Sequence, residues 1–90
     1  MTNINETLEL REIRYGKYMD VAIIAQNIKY VMQKTPNWQS LEADQMESLD
    51  MIANKIGRIL NGDQNYDDSW HDIAGYATLV AERLRKLNES

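Results

Sequence analysis

The chain has 90 residues, of which 43% are hydrophobic and 27% charged, with a net charge of −4 and no cysteine. This length supports one hydrophobic core, so we expect a single helical domain over residues 1–90. Without cysteine there are no disulfides, thiolate nucleophiles or cysteine-bound zinc. The negative charge disfavours binding to duplex nucleic acid, which depends on clustered Lys and Arg. No apolar run reaches the roughly 20 residues that cross a bilayer, and the acidic N-terminus is unlike a signal peptide, which together predict a cytoplasmic protein.

The first third of the chain predicts two helices. Asn3 and Glu6 have the spacing of a capping box, which predicts a short first helix that ends before a left-handed residue at Gly16. The second helix is expected from about residue 20 to residue 34, because its apolar residues recur at 100° per residue. The core stripe predicted for this second helix is Val21, Ile24, Ala25, Ile28, Val31 and Met32.

The third helix is expected to begin between residues 40 and 43 and to run to Leu60. Asn61 and Gly62 follow it, and this pair predicts a left-handed cap at the end of the helix. The predicted core stripe of the third helix is Met46, Leu49, Ile52, Ala53, Ile56, Ile59 and Leu60.

An acidic loop leads into a fourth helix. Its predicted N-cap is either Ser69, which has capping-box spacing with Asp72, or Asp68. The predicted core stripe of the fourth helix is Trp70, Ile73, Ala74, Ala77, Val80, Ala81, Leu84 and Leu87.

The predicted helices carry more apolar residues than one core can bury. Ile23 and Tyr30 share a face of the second helix that a single chain leaves exposed. Gly75 lies within the fourth helix beside Tyr76 and Leu79, and because glycine there costs about 1 kcal/mol relative to alanine, it indicates close approach by another backbone. We therefore expect an all-α, antiparallel four-helix arrangement with a short first helix, assembled as a homo-oligomer.

Four carboxylates are candidate metal ligands. Glu47 and Asp50 lie about one turn apart on the third helix, and Asp68 and Asp72 lie at the start of the fourth. Packing of these helices would gather oxygen ligands of the kind that Mg²⁺ prefers. The alternative is that these four are solvated acids or acids that stabilise helix starts.

Four further residues are candidate ligand-binding groups: Lys55, Arg58, Tyr15 and Tyr76. Lys55 and Arg58 either form a structural ion pair with Asp72 or bind phosphate, Arg as a bidentate fork and Lys as a point charge. Tyr15 belongs to a segment with two tyrosines and two cations, which either contacts a nucleotide or packs across a turn.

Two segments carry a family resemblance. Residues 55–59 read K-I-G-R-I, and residues 68–77 read D-S-W-H-D-I-A-G-Y-A; R-Y-G-K at residues 14–17 belongs to the same pattern. The chain resembles small helical domains encoded mainly by bacteriophages and prophages. These look distantly related to the all-α nucleotide pyrophosphohydrolases of the MazG and dimeric dUTPase type and to nucleotide-modification-associated phage domains.

The resemblance implies a helical oligomer that uses Mg²⁺ to hydrolyse a nucleoside triphosphate to a monophosphate and pyrophosphate. Lys55 and Arg58 match the basic pair of the pattern, and Asp68 and Asp72 match its acidic pair. The sequence departs from the MazG pattern: residues 47–50 read E-S-L-D in place of E-E-x-x-E, and D-x-x-x-D stands where E-x-x-D is expected. The alternative function is a non-catalytic helical oligomer that binds a nucleotide signal or a host protein.

Overall fold

A computed structural model describes residues 3–89, which fold into four α-helices and one 3-10 turn without any strand. The helices are α1 (Ile4–Tyr15), α2 (Tyr18–Gln33), α3 (Ala43–Asn61) and α4 (Asp67–Glu89), and the 3-10 turn spans Trp38–Ser40. The all-α prediction, the number of helices and the short first helix are confirmed. No helix in the described part of the chain has the length and apolar character to cross a membrane.

Both ends of α1 follow from the sequence. The Asn3 side-chain oxygen accepts a hydrogen bond from the Glu6 backbone N–H at 3.0 Å, which confirms the predicted cap. Gly16 has a φ of 78°, a value that favours glycine. Its ψ of −169° is extended, so the chain turns sharply at Gly16 and enters α2 at Tyr18.

The end of α3 differs from the prediction. Gly62 has a φ of −139°, so the expected left-handed cap is wrong. A Cβ at Gly62 would overlap the backbone of Arg14 and Tyr15. Glycine is therefore required here because another segment of backbone lies against it.

The start of α4 also differs. The helix begins at Asp67, so Asp68 and Ser69 lie inside its first turn, and both predicted N-caps are wrong. The reason is the turn before the helix, in which the Tyr66 N–H donates to the Asp63 carbonyl at 3.2 Å and brings the chain into helical geometry early.

Helix α3 is the central element and packs against both α2 and α4. Gly57 faces α2, since a Cβ there would lie 2.9 Å from the Val21 carbonyl oxygen. Ser48 and Lys55 face α4, where they bond to the Tyr76 carbonyl and the Asp72 carboxylate. At 100° per residue these two directions lie roughly 170° apart around α3. Helices α2 and α4 therefore flank α3 on nearly opposite sides, and neither of them covers the two surfaces of α3 that lie between them.

The two uncovered surfaces of α3 have opposite character. One carries polar side chains spaced at helical intervals, here named the polar strip: Glu47, Asn54 and Arg58. The other, here named the apolar strip, consists of Leu49, Ile52, Ile56 and Leu60.

The buried core of the described chain is small. Its buried apolar residues are Val21, Ala25, Ala53 and Ile59. Several residues of the predicted core stripes are exposed instead, a correction to the sequence analysis: Val31, Leu49, Leu60, Trp70, Ala74, Ala77, Ala81 and Leu87. The apolar period identifies the faces of the helices correctly, but a single chain covers only the sides of α3 that meet α2 and α4.

The two glycines within α3 and α4 have different surroundings. No described atom beyond its own helix lies within 4 Å of a Cβ built at Gly75, so the close approach predicted there is absent from the single chain. Close approach occurs at Gly57 instead. The predicted exposure of Ile23 and Tyr30 on α2 is confirmed.

Candidate functional site

The turn between α1 and α2 is fixed to the C-terminal end of α3. The Asn61 side-chain amide donates to the Tyr15 carbonyl at 3.1 Å, and the Asp63 N–H donates to the Arg14 carbonyl at 2.8 Å. The small residue Gly62 lets these two backbones meet without a side chain between them. These contacts place Tyr15 beside the last turns of α3.

Two arginines and two tyrosines form a cluster at this corner, named here the corner cluster. The Arg14 guanidinium lies 4.1 Å from the centre of the Tyr66 ring, and the Arg58 guanidinium lies 4.7 Å from the centre of the Tyr15 ring. The two rings are 6.2 Å apart and tilted by 47°. Each cation thus lies over an aromatic face, which restricts the orientation of its guanidinium.

A cleft of about 390 Å³ opens between α1, α2 and α3, next to the corner cluster. This volume lies within the range of small-molecule sites. The cleft is lined by residues from all three helices and from the turn: Leu8, Arg11, Glu12, Tyr15, Gly16, Tyr18, Val21, Asn54 and Arg58.

The lining of the cleft combines two cations, two aromatic rings, one amide and one carboxylate, that of Glu12. Arg11 and Arg58 supply donors for an anion, Tyr15 and Tyr18 supply planar apolar surface, and Asn54 offers both a donor and an acceptor. Such a set can bind a ligand that has an anionic group and a planar ring.

The structure brings together two of the four predicted ligand-binding residues. Tyr15 and Arg58 both line the cleft. Lys55 is only 8% exposed, and its ammonium forms an ion pair with Asp72 at 3.1 Å, so the structural pairing between α3 and α4 forms. Tyr76 is half-buried on α4, where its carbonyl accepts the Ser48 hydroxyl. Neither Lys55 nor Tyr76 lines this cleft.

The four predicted metal ligands occupy different environments. Asp72 is engaged by Lys55, Asp68 is exposed in the first turn of α4, and Glu47 is exposed on the polar strip. Asp50 is half-buried, and its Oδ1 is buried without a hydrogen-bond partner among the described residues. Within residues 3–89, no group of three or more His, Asp or Glu side chains is close enough to hold a metal ion.

The sequence reasoning missed several residues of the site. Arg11 lies one helical turn before Tyr15, and Asn54 lies one turn before Arg58, so both share a helix face with a predicted residue. That spacing is sufficient to identify Arg11 and Asn54 as candidates from the sequence. Helical spacing does not identify Tyr66, because this residue lies in a loop and reaches the corner cluster from there.

A second arginine site lies at the other end of α3. Arg83 donates two hydrogen bonds to the Asp44 carboxylate, at 2.5 and 2.8 Å, and its guanidinium also lies 3.3 Å from Glu42. The hydrogen bonds from Arg83 lower the pKa of Asp44, and the same bonds raise the pKa of Arg83. Arg83 is therefore occupied by carboxylates of its own chain, whereas the arginines of the cleft form no such pair among the described residues.

Comparison with known proteins yields a family without an assigned activity. Residues 1–84 match the model of a domain of unknown function, DUF6378. No curated protein and no solved structure matches the chain. Because the match spans nearly the whole sequence, the chain belongs to the DUF6378 family.

Proposed function

We propose that this protein binds a nucleotide in the cleft between α1, α2 and α3. The observation that carries the proposal is the position of Arg58, which stacks over Tyr15 at 4.7 Å while both side chains line the cleft together with Arg11. Phosphate oxygens suit the guanidinium groups, which form bidentate, charge-assisted hydrogen bonds. A nucleobase suits the tyrosine rings, on which aromatic bases stack.

The cleft favours a nucleotide over a simple anion. Most of its exposed lining is apolar, and Leu8, Val21 and the tyrosines contribute to it. A free phosphate would leave that surface in contact with water. A ligand with a ring covers it, and the burial adds affinity of about 25 cal/mol per Å².

Magnesium-dependent hydrolysis of a nucleoside triphosphate, as in the MazG-like enzymes, is the second candidate function. The Oδ1 of Asp50 supports it, because this oxygen is buried and has no hydrogen-bond partner among the described residues. The carboxylates of one chain do not fit a Mg²⁺ site, since no group of three forms among residues 3–89. This candidate therefore depends on carboxylates from a second copy, with Glu47 and Asp68 as the exposed groups and Asp72 held by Lys55.

Self-association belongs to the same proposal, as does an antiparallel arrangement of the helices. The pairs Asp44–Arg83, Ser48–Tyr76 and Lys55–Asp72 run forward along α3 and backward along α4, which supports antiparallel packing. The phage or prophage origin, a role in the host cytoplasm and docking to a host protein rest on the resemblance in residues 55–59 and 68–77.

The test is thermal unfolding against ribonucleoside and deoxyribonucleoside triphosphates and cyclic dinucleotides, with and without Mg²⁺. A nucleotide at 100 times its dissociation constant is expected to stabilise the protein by about 2.7 kcal/mol. Arg58→Gln should abolish that shift. Arg85→Gln is the matched control, since Arg85 is an exposed arginine on α4 outside the cleft.

Three outcomes are decisive for this test. A shift that Arg58→Gln removes and Arg85→Gln retains supports the site. A shift that survives Arg58→Gln places the ligand elsewhere, and no shift with any nucleotide overturns the proposal.

A separate assay of pyrophosphate release distinguishes the hydrolase from the non-catalytic binder. Release that requires Mg²⁺ and is lost in Asp50→Asn would establish the hydrolase.

A further inference from the structure

The apolar strip of α3 is the centre of a larger apolar surface, and within the strip Leu49 and Leu60 are exposed whereas Ile52 and Ile56 are half-buried. A shallow groove beside it is lined by Leu49 and Ile52 of α3 and by Ala77 and Val80 of α4, which places the exposed alanine stripe of α4 on this surface. On α2, Ile24 and Val31 lie on the opposite flank from Tyr18, which lines the ligand cleft. The apolar face, as we name it, consists of Ile24, Val31, Leu49, Ile52, Ile56, Leu60, Ala74, Ala77 and Ala81.

The residues of this face are those that the helical period assigns to a core. Leu60 is 69% exposed and Val31 is 65% exposed, although both belong to the predicted core stripes. The apolar strip carries no charged side chain in a chain that is 27% charged. A solvated helix surface normally carries charged residues at such positions.

The dimensions of the chain show how much surface is uncovered. Its accessible surface is 6841 Å², whereas a folded monomer of this mass exposes about 5,400 Å². Its radius of gyration is 15.4 Å, against about 12 Å for a compact domain of this length. The chain thus exposes about 1,400 Å² more than a self-sufficient monomer does.

We propose that the apolar face is the interface with a second copy of this chain, in a two-fold dimer centred on the apolar strip of α3. The inference rests on the self-association proposed above and adds the surface and the partner. A permanent homodimer buries about 2,000 Å² or more in total, or about 1,000 Å² on each copy, which is less than the excess area of one chain. A two-fold interface places the same patch on both sides, and a patch without charges can pair with itself without repulsion.

The outer face of α2 is the competing surface. It carries Met19, Ile23 and Tyr30, which are exposed on the side of α2 turned away from α3. This surface is confined to one helix, and the Lys34 ammonium lies 4.6 Å from the centre of the Tyr30 ring and covers part of it. Residues of this face therefore serve as matched controls for residues of the apolar face.

The first experiment measures the mass of the particle in solution by light scattering across a range of concentrations. The wild-type protein should have twice the 10.5 kDa mass of the chain. Leu60→Glu should give the single-chain mass, because it places a charge on the most exposed residue of the apolar strip, within the proposed interface. Ile23→Glu, an equal change on the competing surface, should leave the dimer intact. A wild-type monomer overturns both this inference and the proposed self-association.

A second experiment covers the case in which Leu60→Glu does not fold. The natural chain has no cysteine, so single-cysteine variants at residues 49, 56 and 60 can each be oxidised without competing pairs. At least one should form a disulfide-linked dimer, since residues near a two-fold axis approach their own copies. Cross-linking of Ile23→Cys alone would assign the dimer to the outer face of α2 and overturn the inference.

The ligand site is tested separately. Arg58 lies on the polar strip, on the other surface of α3, so Arg58→Gln should abolish the nucleotide shift and leave the dimer mass unchanged. If no nucleotide binds, the dimer inference is unaffected. If the protein is a monomer, the proposed nucleotide site in the cleft is likewise unaffected.

Discussion

Helix α3 contacts its two neighbours in different ways. Toward α2 the contact is made by small residues and backbone, with the Gly57 Cα set against the Val21 carbonyl and Ala25. Toward α4 it is made by polar side chains at three levels: Asp44–Arg83, Ser48–Tyr76 and Lys55–Asp72. The first contact depends on volume and the second on charge and hydrogen bonding, so different substitutions should disrupt each.

The largest effect is expected from added volume between α3 and α2. Gly57→Leu should lower the free energy of unfolding by about 3 kcal/mol, because a side chain there must displace the backbone of α2. A Cβ alone would already lie 2.9 Å from the Val21 oxygen. Urea denaturation monitored by circular dichroism measures the change.

Gly75→Leu is the matched control for that substitution. It should raise the free energy of unfolding by about 0.5–1 kcal/mol, because leucine is the better helix former and the site is open. If Gly57→Leu were as stable as Gly75→Leu, the close contact between α3 and α2 would be disproved.

Loss of the ion pair between α3 and α4 should have the next largest effect. Asp72→Asn should lower the free energy of unfolding by about 2 kcal/mol, because it leaves the buried ammonium of Lys55 without its counter-charge. Adding Lys55→Met to this variant should recover part of the loss, since an apolar side chain needs no partner. A double-mutant cycle measures the coupling, and additive effects of the two changes would contradict the pairing.

The smallest effect is expected at Asp44, and it should depend on pH. Arg83 lowers the pKa of Asp44 in the folded protein below the ordinary value of 3.8. The stability from this pair is therefore fully present above that value and is lost as the pH falls through the folded pKa. Asp44→Asn should lower the melting temperature at neutral pH and have a smaller effect at an acid pH below the folded pKa.

The control for Asp44 is an exposed carboxylate with no such pair. Glu9→Gln on α1 should leave the melting temperature nearly unchanged at both pH values. Equal behaviour of the two variants across pH would show that the bonds between Asp44 and Arg83 do not contribute to stability.

The sequence predicts the helices well because they depend on local signals. The apolar period located α2 and α3, and the spacing of Asn3 and Glu6 located the start of α1. The surroundings of the glycines are harder to predict from the sequence. A glycine within a helix signals a close neighbour in both α3 and α4, but the sequence does not show that Gly57 meets another helix while Gly75 faces open space.

The candidate site was predictable only in part. Tyr15 and Arg58 were identified from residue type, but their contact depends on Asn61, which holds the turn after α1 against α3. The sequence analysis predicts one shared role for Lys55 and Arg58, either pairing with Asp72 or binding phosphate, yet the two side chains point to different neighbours, Asp72 and Tyr15. Three residues of separation leave about 60° between two side chains on a helix, and that is enough to divide them between two surfaces.

The attachment of α1 has a consequence for the kinetics of ligand binding. Helix α1 contains no buried residue, and its hydrogen bonds to the rest of the chain lie at its C-terminal end, at Arg14 and Tyr15. Leu8 and Arg11, which form one wall of the cleft, thus belong to the element with the lowest expected resistance to local opening. Amide hydrogen exchange should therefore be fast in α1 of the free protein. A ligand that contacts Arg11 in the proposed site would hold α1 in place, so we expect its association to be slower than diffusion and its release to depend on the opening of α1.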